Sequence, residues 1–353
     1  MNRLLHVEIF RFLAALSVLI FHYRFFITSG QQPVGHLPFN NILEVVYIYG
    51  GSGVWVFWSI SGYIFYHIYK DRIIKKNISI KIFFINRFSR LYPLHFLTLI
   101  IVALLQILHL NIFEKFHHYY LNDVYHFFLN LIFVSSWGFE KYYSFNGPIW
   151  SVSIEIIVYF WFFFSIFYFK KPFIISLSVI FICGLIKIFS DSTYILLDCL
   201  IFFFTGGLTY MIGNYLVNKK INFFQRKSYY ILLLILPYLF WKTGVYEVKY
   251  SIYLFCLFYS SMLLLCENIN MNLHSKFKKI IENTGNLSYG IYLFHFPVAI
   301  SLQLIFRLFK SEIPFQSNLF FLFYIFLVIS ISYISFFKFE KPIQNFIRNK
   351  LHK

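Results

Sequence analysis

Apolar residues in this chain run in long blocks and do not alternate with polar ones, so the pattern is that of helices apolar on every side, not of half-buried strands. The blocks fall at 5–27, 46–69, 82–109, 149–169, 173–189, 194–217, 228–241, 249–265, 288–309 and 318–337. Most reach or approach the ~20 residues that cross a bilayer core. They predict an all-α polytopic membrane bundle of about ten transmembrane helices. A further apolar stretch, 124–137 (VYHFFLNLIFVSSW), is too short to cross.

The polar residues between the blocks set the orientation, because cytoplasmic loops retain Lys and Arg. Residues 70–81 hold Lys70, Arg72, Lys75, Lys76 and Lys81, whereas 28–45 hold no basic residue of either kind. Basic residues also mark 218–227, 266–287 and the C-terminal tail. Placing all of these inside requires an even number of crossings between them. Stretches 110–123 and 138–148 then both fall outside, and 124–137 becomes a re-entrant or interfacial segment. Both termini are expected in the cytoplasm.

Composition fits a membrane chain. Hydrophobic residues make up 59% and charged residues 13%, about half the charge of a soluble domain; the mean hydropathy is +0.67. A soluble enzyme, a disordered chain and a nucleic-acid binder are excluded. The formal charge of +17 is therefore a topology signal and a contact for anionic lipid. Cys183, Cys199, Cys256 and Cys266 sit in or beside apolar runs without metal-like spacing and read as small buried hydrophobes. The N-terminal block imitates a signal peptide, but Glu8 and Arg11 interrupt it and no small-residue cleavage site follows. It reads as a retained first helix. Residues 1–345 are expected to form one integral-membrane domain, followed by a basic tail at 346–353, with no appended soluble domain.

Ionisable residues at bilayer depth are expensive and default to function. Those within the blocks are Glu8, Arg11, His22, Arg87, Arg90, His95, Glu155, Asp198, His295 and Arg307. Arg11 and His22 are eleven residues apart, about 20° past three full turns, so they share a face about 16 Å apart along the axis. Arg87 and Arg90 are neighbours on one face near the cytoplasmic end of their helix. Glu155 enters from outside to about the depth of His22, while His295 is expected in the inner leaflet. The arginine fork suits phosphate, and a histidine oriented by a carboxylate suits activation of a hydroxyl. Plainer readings stand beside these: Arg87 and Arg90 as snorkelling anchors, His22 and His295 as packing residues, Glu155 as a structural partner of Arg11 or Arg24. Glu8 is expected to pair with Arg11, and Asp198 and Arg307 to be structural. His109, His117, His118 and His126 lack metal-like spacing and read as solvated surface on an external loop.

Arg11 and His22 also match the Arg-x10-His motif of the acyltransferase-3 family, and the resemblance extends along nearly the whole chain. Gly53–Phe65 (GVWVFWSISGYIF) is similar to that family's glycine-initiated aromatic run, with Trp58 and Ile60 as mild departures. Arg87-Phe88-Ser89-Arg90-Leu91-Tyr92-Pro93 resembles its Arg-x-x-Arg-x-x-Pro. Asn146–Glu155 (NGPIWSVSIE) resembles its Asn-Gly-Pro-Leu-Trp-Ser-Leu-Ser-x-Glu. Gly285–Pro297 (GNLSYGIYLFHFP) is similar to its Gly-x-x-Ser-Tyr-x-x-Tyr-Leu-x-His-x-Pro, and Phe339-Glu340-Lys341-Pro342 also fits.

The resemblance implies O-acyl transfer, usually of acetyl, from cytoplasmic acyl-CoA to a hydroxyl of a surface or exported polysaccharide at the bacterial plasma membrane. It implies His22, Glu155 and Arg11 as catalytic residues, and Arg87, Arg90, Tyr289, Tyr292 and His295 along the donor path. Acetyl-CoA enters as co-substrate, and no resident cofactor or metal is expected. The expected partners are the acyl-CoA donor, a polysaccharide or glycolipid acceptor, the bilayer and an external partner transferase. Two other expectations fit the pattern: an acyl relay to that transferase, and a glycan or lipid transporter.

Overall fold

The computed structural model describes residues 4–26, 32–140, 142–190, 194–220, 251–267 and 274–351, together with 227, 230, 231 and 235. The described residues form helices and no strand: α1 (Leu5–Tyr23), α2 (Asn40–Tyr49), α3 (Gly53–Ile74), α4 (Ile80–Phe113), α5 (Val124–Leu131), α6 (Trp150–Phe169), α7 (Pro172–Ser190), α8 (Ile195–Asn218), α9 (Ser251–Glu267), α10 (Ser275–Leu308), α11 (Asn318–Ser335) and α12 (Lys341–Leu351). Eight helical stretches among the described residues are long and apolar enough to cross a membrane. The chain is a multi-pass all-α membrane protein. Block 249–265 appears as α9, and block 228–241 lies largely outside the described residues.

Two compact units divide the chain. The first comprises Met1–Arg11, Trp55–Ser79 and Ile157–Gly285. Its helices are held by close backbone approach, as membrane helices without a hydrophobic drive between them must be. A Cβ at Gly62 would lie 1.8 Å from the carbonyl oxygen of Phe203, and one at Gly206 would lie 1.8 Å from that of Ser59. Helices α3 and α8 therefore cross with their backbones in contact. Phe65 stacks on Tyr159 at 4.5 Å, and the Tyr66 hydroxyl meets Ser176 Oγ at 2.6 Å. Asp198 is paired with Lys187, the structural role expected of it.

The second unit comprises Phe12–Val54, Ile80–Ile156 and Asn286–Lys353. Here a Cβ at Gly50 would lie 2.4 Å from Ser17 O, and one at Gly53 2.7 Å from Ala14 O. The turn before α3 thus lies directly on α1. Leu99, Val102, Phe145, Phe296, Ile300 and Leu304 form a buried cluster. Between α11 and α12 the chain takes one π-type turn, Phe336–Glu340. That wider turn carries Glu340 inward, where it is 5% exposed. Helix α12 packs along α4, and the boundary drawn at 345/346 falls inside it.

The short apolar segment 124–137 becomes the eight-residue α5 followed by an irregular turn, about 12 Å of helix against a core of about 30 Å. Asp123 caps α5 by accepting from the His126 backbone N–H at 2.9 Å. Polar bonds anchor the segment: His95 Nε2 lies 2.7 Å from Asn130 O, Asn130 Nδ2 donates to Ser144 Oγ at 2.8 Å, and Ser144 Oγ donates to Glu140 Oε2 at 2.9 Å.

Burial outweighs the Ser144 hydrogen bond and pushes the Glu140 carboxyl up to about 7. A carboxyl raised in the fold above its ordinary value near 4.5 contributes stability below that value and loses it as pH rises toward 7. Glu140→Gln should therefore melt near wild type at pH 5 and above it at pH 8, by on the order of a few °C. Thermal unfolding of the detergent-purified proteins at both pH values tests this; parallel shifts would count against a neutral Glu140 in the fold.

Candidate active site

Proline supplies the first constraint on the site. Pro297 sits inside α10 and has no N–H, so the carbonyl of Leu293 one turn earlier lacks its helical donor. A buried carbonyl must be satisfied elsewhere, and Asn146 Nδ2 donates to it at 3.2 Å. Two further contacts fasten the same segment to α10. The Tyr292 hydroxyl donates to Pro148 O at 2.8 Å, and Ser151 Oγ lies 2.8 Å from the Tyr292 oxygen. Over Gly147 lies Tyr119; a Cβ there would be 2.1 Å from its hydroxyl. The Asn-Gly-Pro-Ile-Trp-Ser segment is thus the joint between α6 and α10, and Tyr292, expected along the donor path, has its hydroxyl engaged in that joint.

Helix α10 starts at Ser275, thirteen residues before the apolar block 288–309. Twenty residues of that helix precede His295. It packs against His22, with ring centroids 4.9 Å apart. His295 Nδ1 lies 3.4 Å from Ile291 O, which fixes the proton on that nitrogen. Its Nε2 is buried and has no hydrogen-bond partner among the described residues. The Tyr324 hydroxyl donates to His295 O at 2.8 Å and steadies that turn. His22 itself is half-buried, near the end of α1. The two imidazoles are thus in ring contact, His22 the more exposed of the two.

Glu155 interacts electrostatically with the hydroxyls of Tyr289 and Tyr292. Tyr289 donates to Leu91 O at 3.0 Å. Arg24, considered as a partner for Glu155, donates to Tyr47 O at 3.1 Å. Arg11 belongs to the first unit, where its Nη1 meets Glu8 Oε2 at 3.1 Å. A Cβ at Gly285 would lie 2.0 Å from that same oxygen, so the glycine leaves room for the carboxylate of the pair.

Arg87 and Arg90 share one face of α4. Arg90 Nη1 lies 3.9 Å from Glu340 Oε2, and Glu340 Oε1 accepts from Ser335 at 3.3 Å. Arg90 Nη2 reaches Asn286 O at 3.5 Å. A third arginine joins this end of α4: Arg348 Nε donates to Ser89 Oγ at 3.1 Å, and its Nη2 to Asn86 O at 3.3 Å. Arg348, expected in a free tail, is thereby drawn to the arginine pair. Arg307 lies over the Phe113 ring at 5.5 Å.

The reading of the loop histidines as solvated surface is overturned. His109 is 3% exposed, His117 5% and His126 7%. Gln106 clamps the loop in both directions, its Nε2 donating to His117 O at 2.9 Å and its Oε1 accepting from His117 N–H at 2.8 Å. His109 Nδ1 meets Lys115 O at 2.7 Å. Burial and the neighbouring histidines lower His117 to about 3, and burial lowers His118 too; the His117 imidazole is neutral at pH 7. Among the described residues no group of three His, Cys, Asp or Glu is placed to hold a metal ion. These histidines were misread because the ten-residue connection 114–123 looks solvated until its glutamine clamp is seen.

A family model described as an acyltransferase domain (Acyl_transf_3) matches residues 5–337, nearly the whole chain. The chain belongs to this family and is a membrane acyltransferase. No curated protein and no solved structure gives a match.

Replacing Asn146 with Ala removes the only side-chain donor described for Leu293 O and leaves a buried carbonyl unpaired. A loss of about 1–3 kcal/mol is expected, read as a lowered melting temperature in detergent. An unchanged melting temperature would mean that the joint is held elsewhere.

Proposed function

We propose that this membrane acyltransferase moves an acyl group, acetyl in the first instance, from cytoplasmic acyl-CoA to a hydroxyl of a surface or exported polysaccharide at the bacterial plasma membrane. The observation that carries the reading is the contact of His22 with the buried, singly bonded imidazole of His295. A hydroxyl is a poor nucleophile until a base takes its proton, and a neutral imidazole is the side chain best matched to that task near pH 7. As the acceptor oxygen bonds the acyl carbon, its proton passes to His22. The C–S bond then breaks, and the departing thiolate takes up that proton from His22. An ester and free CoA thiol result, with no net proton released. His22 as an acyl carrier would lead to the same products in two steps.

The opposite end of the path suits the donor's phosphates. Arg87 and Arg90 offer forked, permanently charged donors, and Arg348 adds a third. Glu340 faces Arg90 at 3.9 Å, so a phosphate bound there would compete with a carboxylate for the same guanidinium. Between the two ends, Tyr289, Tyr292 and His295 follow one another along α10, about 9 Å from first to last. Glu155 adds a carboxyl within electrostatic range of the Tyr289 and Tyr292 hydroxyls. Arg11, paired with Glu8, contributes charge and helix position.

His22→Ala, expressed at wild-type level in a strain lacking the native protein, should leave ester-bound acetyl in the surface polysaccharide at background. Retention of wild-type acetylation would remove His22 from the mechanism. Arg87→Ala should raise the KM for acetyl-CoA at least tenfold with a smaller change in kcat. A donor KM within twofold of wild type would show that Arg87 only anchors its helix.

A further inference from the structure

His118 lies in the loop after α4, five residues beyond Phe113, and no role follows for it from the transfer chemistry above. Its surroundings give it one. The Phe25 ring packs edge-on against His118 at 5.5 Å and against His22 at 5.9 Å, so one phenyl ring touches both imidazoles. His118 also interacts electrostatically with His22. Its Nδ1 is buried and has no hydrogen-bond partner among the described residues, while the residue as a whole is partly open. An orphaned ring nitrogen costs free energy unless something binds there.

The loop is built to hold it in place. Gln106 bonds His117 through both its amide groups. Gln303, 7% exposed on α10, donates to Phe26 O just after α1 and bonds the His117 side chain. Two buried glutamines thus set the position of a residue whose neighbour faces the proposed base. His295, whose Nε2 is likewise buried without a hydrogen-bond partner among the described residues, is in ring contact with His22. Two unpartnered imidazole nitrogens among the neighbours of His22 suit a ligand with adjacent hydroxyl groups, as on a sugar ring.

We propose that His118 is a third imidazole of the transfer site, supplied by the loop, which binds the acceptor by a hydrogen bond to its hydroxyl and holds that oxygen against His22. The proposal rests on the acyl-transfer reading. In it His118 exchanges no proton with the donor: the acceptor proton goes to His22, and His118 stays neutral throughout.

The test compares wild type, His118→Ala, His118→Gln and Gln106→Leu in the deletion strain, each at equal membrane level. Ester-bound acetyl on the surface polysaccharide is measured, and CoA binding is measured on the purified full-length proteins. His118→Ala should lower bound acetyl at least tenfold while CoA affinity stays within twofold of wild type. His118→Gln, whose amide can still reach a hydroxyl, should recover part of the loss. Gln106→Leu, which frees the loop and leaves His118 in the chain, should reproduce the loss. Wild-type acetylation by His118→Ala would overturn the proposal, as would a tenfold loss of CoA affinity, which would put His118 on the donor side. An equal loss in His118→Ala and His118→Gln with lowered melting temperatures would reduce His118 to packing and overturn it too. If wild type itself adds no ester, the acyl-transfer reading fails and this proposal falls with it; the other outcomes leave that reading intact.

Discussion

The site depends on one carbonyl. Pro297 cannot donate to Leu293, and in a low-dielectric interior that oxygen has to find a partner or destabilise the helix. Asn146 supplies it. The bond fastens the start of α6 to the middle of α10, and with it go Ser151, Tyr292 and the Tyr119 ring over Gly147. His295 is two residues from Leu293 and two from Pro297, so its ring direction is fixed by the same local break. A proline that would weaken a helix in isolation here positions an imidazole.

Charge follows the same economy. Every described ion pair near the ends of the path is short-range and local: Glu8 with Arg11, Arg90 with Glu340. The π turn at Phe336–Glu340 adds one residue to the helical turn, which shifts the side chains after it about 100° round relative to an uninterrupted α-helix. A buried carboxylate beside an arginine lowers the cost of keeping the arginine buried. It also leaves a guanidinium already desolvated, which strengthens whatever anion replaces the carboxylate.

Much of the architecture was legible in the chain. The apolar blocks located every described spanning helix, and the length of 124–137 marked it as non-crossing. The Arg-x10-His spacing placed Arg11 and His22 on one helix, and the three-residue spacing of Glu8 and Arg11 anticipated their pair. Other features were invisible for definable reasons. The start of α10 at Ser275 is a polar extension, which hydropathy cannot distinguish from a loop, so the helix begins thirteen residues before its apolar block. Burial of His117 depends on Gln106 and Gln303, residues whose amides carry no sequence signature. The Arg348 contact depends on α12 folding back along α4, which a basic tail does not announce.

The crossing of α3 on α8 bears on how the chain is made. Gly62 meets the backbone of Phe203 and Gly206 that of Ser59, yet 141 and 147 residues of synthesis separate these partners. At ordinary elongation rates of ~5–20 residues per second, α3 waits roughly 7–30 s in the membrane before its partner is translated. During that interval the groove at Ser59 and Gly62 faces lipid or the insertion machinery, and any other small-residue helix passing by can occupy it. That crossing therefore forms well after α3 enters the membrane, and a substitution that slows α8 would be felt first as degradation of newly made chains.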